Sequence, residues 1–207
     1  MSAVGRRQLL LALPAATALP AAAGAADTAA VSAPIVALDN GLLAIMKAGS
    51  GTPFVQRYQM LQPIVLRSFD LPAILRVSVG SGLDGVPTQM QGLLYDEFVR
   101  YTVASYVANF KSYEGQRFDI APTLRQVGAN QVAQTNLVSP TDNTRIDYVM
   151  RESGGAWKIV DVLLDGTISR VAVQRSDFRE IFASGGAQGL IGLLRQKVVQ
   201  LSGGAMQ

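Results

Sequence analysis

The chain contains no cysteine and no histidine among its 207 residues, and a single tryptophan. Without cysteine there is no disulfide, no thiolate nucleophile and no lipid anchor on an N-terminal cysteine. Without histidine, the Ser-His-Asp arrangement, the imidazole general base and His-based zinc or iron sites all drop out. Charge is scarce as well: 16% of residues are Asp, Glu, Lys or Arg, against 49% hydrophobic. Few of the usual catalytic tools remain, so neither a metal nor a cofactor is expected. A chain of this length and composition suits one domain with a large apolar core.

The net charge of +3 owes most to the N-terminus. Arg6 and Arg7 are the only charged residues in the first 26, so beyond them 16 basic residues face 15 acidic ones. No run of lysines or arginines occurs anywhere, and nucleic-acid or polybasic membrane binding lacks its electrostatic footprint. Residues 1–26 read as an export signal: Arg6-Arg7, an apolar stretch from Leu9 to Leu13, and small residues ending at Ala23-Gly24-Ala25-Ala26. Pro14, Pro20 and the weakly hydrophobic alanines argue against a stable membrane span. Gly5-Arg6-Arg7-Gln8-Leu9-Leu10 matches a twin-arginine signal in part. By either that or the general secretory route, the expected destination lies beyond the inner membrane.

Residues 27–34 are expected to be a flexible lead-in, and residues 35–203 a single domain. Its helical part, 35–112, opens with Ile35, Leu38, Leu42 and Ile45 at helical spacing, and helix starts follow at Thr52-Pro53 and Asp70-Leu71-Pro72. Residues 87–110 carry the longest helical pattern. The period then changes. Residues 117–122 and 130–139 alternate as strands, and two further runs flank a Glu152-Ser153-Gly154-Gly155 turn. On the first of these, Ile146, Tyr148 and Met150 share one face while Arg145, Asp147 and Arg151 share the other. Two closing helices are expected at 167–182 and 188–201, separated by Ser184-Gly185-Gly186. Helices, antiparallel strands, then helices make the class α+β, a curved four-stranded antiparallel sheet packed between an N-terminal helical subdomain and C-terminal helices.

The block Ala156-Trp157-Lys158-Ile159-Val160-Asp161-Val162, followed by Asp165-Gly166-Thr167-Ile168-Ser169, resembles the MlaC or toluene-tolerance family of lipid-binding proteins. Arg175 and Phe178, then Gly186-Ala187-Gln188-Gly189-Leu190-Ile191, extend the likeness, as do Arg57 and Ser68-Phe69-Asp70-Leu71 more loosely. Tyr148-Val149-Met150-Arg151 with the run Ile159 to Ser169 is most similar to the hopanoid-associated HpnM branch. The resemblance implies an NTF2-like sheet with a helical subdomain that holds acyl chains between them. It also implies a monomeric periplasmic carrier of phospholipid or hopanoid. Its partners would be an inner-membrane ABC transporter of the MCE type and an outer-membrane lipoprotein complex.

A carrier is physically reasonable for a chain with so little chemistry. Two lipid tails present on the order of 30 methylenes, a gross ~24 kcal/mol at ~0.8 kcal/mol each. That exceeds the non-covalent ceiling of ~20 kcal/mol, so the donor membrane and not water is the reference, and transfer can be nearly balanced. The inward faces nominate Phe98, Tyr101, Ile120, Leu137, Ile146, Tyr148, Met150, Trp157, Ile159 and Ile168 as lipid-lining, with ordinary core packing as the competing reading of each. Arg145, Arg151 and Arg175 are candidates for a rim that pairs with phosphate, against simple solvation. Two alternatives stay open. Asp147 or Asp161, isolated in an apolar pocket, could serve as the general base of a small-molecule enzyme. A retained N-terminus would instead make the protein a membrane-tethered adaptor.

Overall fold

The computed structural model describes residues 21–207, with side chains from Thr28 onward; residues 1–20 of the expected export signal lie outside the described residues. Four helices come first: α1 (Ala21–Ala48), α2 (Phe54–Ser68), α3 (Leu71–Val79) and α4 (Thr88–Asn109), with a 3-10 turn at Ser81–Gly85 after α3. The strands β1 (Arg117–Val127), β2 (Asn130–Val138), β3 (Asn143–Ser153), β4 (Ala156–Leu164) and β5 (Ile168–Ser169) follow, and α5 (Arg170–Leu201) closes the chain. The sheet is an antiparallel meander in chain order. It has the expected four strands plus β5, whose two residues are too few to show any periodicity.

The lead-in is corrected. Residues 27–34 belong to α1, and Val31 is buried in the core beside Ile35, Leu38, Leu42 and Ile45. An alanine-rich run has the helix propensity to extend upstream, and Pro34 removes only one intrahelical hydrogen bond. Thr28–Ala48 is long and apolar enough to cross a membrane, yet its apolar stripe forms the centre of the packed core.

Register places Tyr148 between Ala133 and Val162, and Ile146 between Thr135 and Leu164. These side chains share the sheet face that looks into the helices. Two irregularities bend the sheet. In β1 the pairing jumps between Ile120 and Leu124, and in β4 Val160 is an extra residue, because Val149 pairs with Asp161 while Met150 pairs with Ile159. Such bulges increase local twist, and the sheet coils around what it covers. The backbone itself ties the helical half to it: Phe69 forms a parallel bridge with Ile159, and Asp70 N donates to Ile159 O at 2.9 Å. Asp70 then caps α3 through Ala73 N, as its place before Leu71-Pro72 predicts.

α5 is two helices joined at Gly186, whose φ of 59° and ψ of −159° interrupt the helical path. The break expected at Ser184-Gly185-Gly186 is therefore present, with Gly186 the residue that leaves the helical path. The second half buries Ala187, Leu190, Ile191, Leu194 and Val198, and Arg195 pairs with the buried Glu97 of α4 at 2.9 Å.

The other face of the sheet is polar. Arg145 grips the buried Asp147 through two 2.8 Å hydrogen bonds, from Nε to Oδ1 and from Nη2 to Oδ2. Arg125 approaches the same carboxylate at 4.0 Å. Gly166 sits so close that a Cβ there would lie 2.7 Å from Arg145 Nε, and its φ of 72° suits glycine.

Candidate functional site

A cavity of about 350 Å³ lies between α3, α4, the start of α5 and the inner face of β2–β4. Its sides are apolar: Leu71 and Ile74 from α3, Phe98, Tyr106 and Phe110 from α4, and Leu137, Ile146, Tyr148, Val162 and Leu164 from the sheet. Aromatic contacts brace the α4 side, with Phe69 and Tyr106 at 5.8 Å and Tyr106 stacked on Phe110 at 6.1 Å. Two of the lining residues, Asn109 and Arg170, are exposed, so they mark the opening.

Polar side chains reach the cavity but most are already engaged. Thr102 Oγ1 donates to Phe98 O and Ser105 Oγ to Tyr101 O, both at 2.8 Å, and Asn109 Nδ2 donates to Ser105 O at 2.9 Å. These hydroxyls and amide turn back onto their own helix and ask nothing of a ligand. Thr144 donates to Asp142. Asp161 accepts from Ser169 Oγ, from Val171 N at 3.1 Å and from Val162 N at 2.7 Å, and so caps α5 together with Ser169, which accepts from Ala172 N. Asp161→Ala is expected to destabilise the protein by about 1–2 kcal/mol, a strong helix-cap loss, in urea unfolding. An unchanged midpoint would contradict this role.

Of the charged groups at the cavity, the one that stays available is Arg170. It forms no ion pair among the described residues and stands at the opening beside Tyr106. Burial pushes the Tyr106 hydroxyl above its usual range, and the Arg170 guanidinium works against that shift. The cavity is thus an apolar slot with one uncommitted cation at its mouth.

Of the ten residues expected to line it, Phe98, Leu137, Ile146 and Tyr148 do. The other six lie off the wall. Tyr101 packs on Phe178, Ile120 sits on β1, Trp157 is half-buried at the start of β4, and Met150 and Ile159 are enclosed in the core. Ile168 is 52% exposed on β5. Of the arginines expected at the rim, none of the three lines the cavity. Arg145 is on the opposite face of the sheet, Arg151 donates to Asn130 Oδ1 at 2.9 Å, and Arg175 is exposed on α5. Asp147 shares Arg145's face, away from the slot, and Asp161 is engaged by Val162, Ser169 and Val171.

One buried carboxylate escaped the sequence reading. Asp39 of α1 is 4% exposed; its Oδ1 accepts from the Tyr148 hydroxyl at 3.4 Å, and its Oδ2 has no hydrogen-bond partner among the described residues. Burial raises its pKa from 3.8 to about 7, opposed by the Tyr148 hydrogen bond. The signal was present: position 39 falls inside the stripe formed by Ile35, Leu38 and Leu42. Among the described residues no group of three potential metal ligands comes together.

The model of the MlaC protein family matches residues 37–196. No curated protein matches the chain. Among solved structures, it is similar to the phospholipid-binding protein from Ralstonia solanacearum, determined in complex with a phospholipid. That likeness has a TM-score of 0.72 and 17% sequence identity, and covers 83% of this chain and 98% of the other. Identity at that level speaks for a shared fold. The family match spans well over half the sequence and runs through every element that builds the slot, from α3 to the start of α5. The chain belongs to the MlaC protein family.

Proposed function

We propose that this protein is a periplasmic lipid carrier, which shelters acyl chains in the slot and holds an anionic headgroup at Arg170. The observation that carries the reading is the mismatch between the cavity's many apolar walls and its single uncommitted cation. An enzyme pocket needs polar groups aimed at a reacting centre; here Thr102, Ser105 and Asn109 are turned into the helix that bears them. The neighbour of similar fold was crystallised with a phospholipid, which supports the same class of ligand. Exchange with an inner-membrane ABC transporter system and an outer-membrane acceptor follows from the family likeness and completes the shuttle. Within it, the sequence from Ile159 to Ser169 favours the hopanoid-associated branch, which competition between a hopanoid and phosphatidylglycerol decides.

Native mass spectrometry of the gently purified protein tests the reading: a lipid is expected to co-purify. Arg170→Gln should weaken phosphatidylglycerol binding about tenfold, the equivalent of about 1.4 kcal/mol for one charge-assisted contact. A reproducibly empty protein that takes up no lipid from vesicles would refute the proposal.

A further inference from the structure

The slot changes character in layers from its mouth inward. Asn109 on α4 and Arg170 on α5 are exposed and mark the opening. One turn along each helix, Tyr106 and Gln174 are half-buried and also face the cavity. At about 1.5 Å per residue those steps are about 4.5 Å on α4 and about 6 Å on α5. Two turns further along α4 the wall is Phe98, buried and wholly apolar. The order is cation, neutral polar groups, hydrocarbon.

Tyr106 and Gln174 differ from the other neutral polar side chains in the cavity. Thr102, Ser105 and Asn109 donate to carbonyls of α4, Thr144 donates to Asp142, and the Tyr148 hydroxyl donates to Asp39. The Tyr106 hydroxyl and the Gln174 side-chain amide make no hydrogen bond among the described residues. Tyr106 has little freedom to turn elsewhere, because its ring packs at 5.8 Å on Phe69 and is stacked at 6.1 Å on Phe110. Burial holds its hydroxyl protonated, so it is a donor. A buried phenol normally has a hydrogen-bond partner. Two uncommitted donors at one depth of an apolar slot make a place for acceptors that the ligand itself brings.

We infer that Tyr106 and Gln174 are specificity-determining residues, which donate hydrogen bonds to the acyl-ester carbonyls of a glycerolipid whose phosphate rests at Arg170. The inference rests on the carrier reading and names the linkage chemistry of its ligand. In a diacyl glycerophospholipid the phosphate, the glycerol esters and the tails follow one another in the same order as the three layers of the slot. A lipid with no acceptor at that depth excludes water from both donors and leaves them unpaired, at a loss of about tenfold in affinity for each. A site built to hydrogen-bond its ligand rejects the analogue that lacks the matching group. Selection acts on the linkage and not on the tails.

Diacyl phosphatidylglycerol and its dialkyl ether analogue of equal chain length are the probes, since they share phosphate and tails and differ in two carbonyl oxygens. Affinity is read by displacement of a bound fluorescent fatty acid whose own Kd is measured for each variant. Wild type is expected to bind the ester lipid about 100-fold more tightly than the ether. Tyr106→Phe keeps the ring contacts with Phe69 and Phe110, and Gln174→Met keeps the side-chain length. Each should weaken ester binding about tenfold and leave ether binding unchanged, and the double variant should show no preference. Retained ether binding shows that the slot is intact. Equal affinity of wild type for the two lipids overturns the inference and leaves the carrier reading standing. A preference that survives in the double variant, or an equal loss of both lipids in either variant, overturns it as well. Displacement by neither lipid in wild type overturns the carrier reading, and the inference with it.

Discussion

Replacing Asp39 by Asn is expected to stabilise the protein by on the order of 4 kcal/mol at pH 8 and to change it little at pH 4. In the folded state burial raises the carboxyl from 3.8 to about 7. A group with a raised folded pKa binds its proton more tightly folded than unfolded. Its contribution is therefore intact below about pH 4, and stability declines by about 1.4 kcal/mol per pH unit as pH rises to about 7. Above that the folded protein carries a buried charge and the penalty levels off. Asn keeps the shape and cannot ionise, so the variant should show a flat profile where wild type slopes. Urea unfolding followed by the half-buried Trp157 provides the measurement. Parallel profiles for the two proteins between pH 4 and pH 8 would falsify the assignment. Two tyrosines face Asp39, Tyr148 on β3 and Tyr106 on α4, and it forms no ion pair among the described residues.

The second large effect is expected at Phe178. The side chain is 1% exposed and meets Phe98 edge-on at 6.2 Å and Tyr101 at 6.3 Å. Phe178→Ala removes a buried ring together with both aromatic contacts, and about 3–5 kcal/mol of stability should go with it. Size alone does not single the residue out, because Leu190→Ala should cost about 2–5 kcal/mol in the same helix beyond the kink. The location of the damage does. Once Phe178 is gone, Val171 is the one buried side chain left in residues 170–185, with Ile181 and Phe182 packed only in part, so amide exchange should accelerate there more than in 187–201. Uniform acceleration along both halves of α5 would show that the kink does not divide the helix into separate cooperative units.

Periodicity served well wherever an element buries one face over several turns. The stripe Ile35, Leu38, Leu42, Ile45 and the alternation Ile146, Tyr148, Met150 both face the core. Elements without such a pattern were harder to read. The start of α1 was hidden because an alanine-rich run serves equally as an export signal and as a helix, and Pro34 looked like a boundary. β1 continues to Val127 beyond Pro122 because the bulge around that residue spares it a place in the ladder.

The cavity was legible in its facing but not in its extent. Alternation says which way a side chain points, not how far along the strand the space persists. Ile146 and Tyr148 meet the cavity, whereas Met150, two residues on, is sealed in the core. Arg170 was missed for a related reason. Nothing in its immediate sequence distinguishes it from Arg175; the turn at Asp165-Gly166 and the cap at Asp161 decide which arginine stands at the opening.

The kinks in β1 also bear on how the protein behaves at high concentration. β1 pairs only with β2, so eleven residues form the border of the sheet. A flat border of that length is a template on which a second copy can add a strand, and repetition of that step builds fibrils. The break between Ile120 and Leu124, a proline that donates no hydrogen bond, and the flanking charges of Arg117, Asp119 and Arg125 spoil the template. The same irregularity that coils the sheet around its slot thereby keeps neighbouring molecules from polymerising edge to edge.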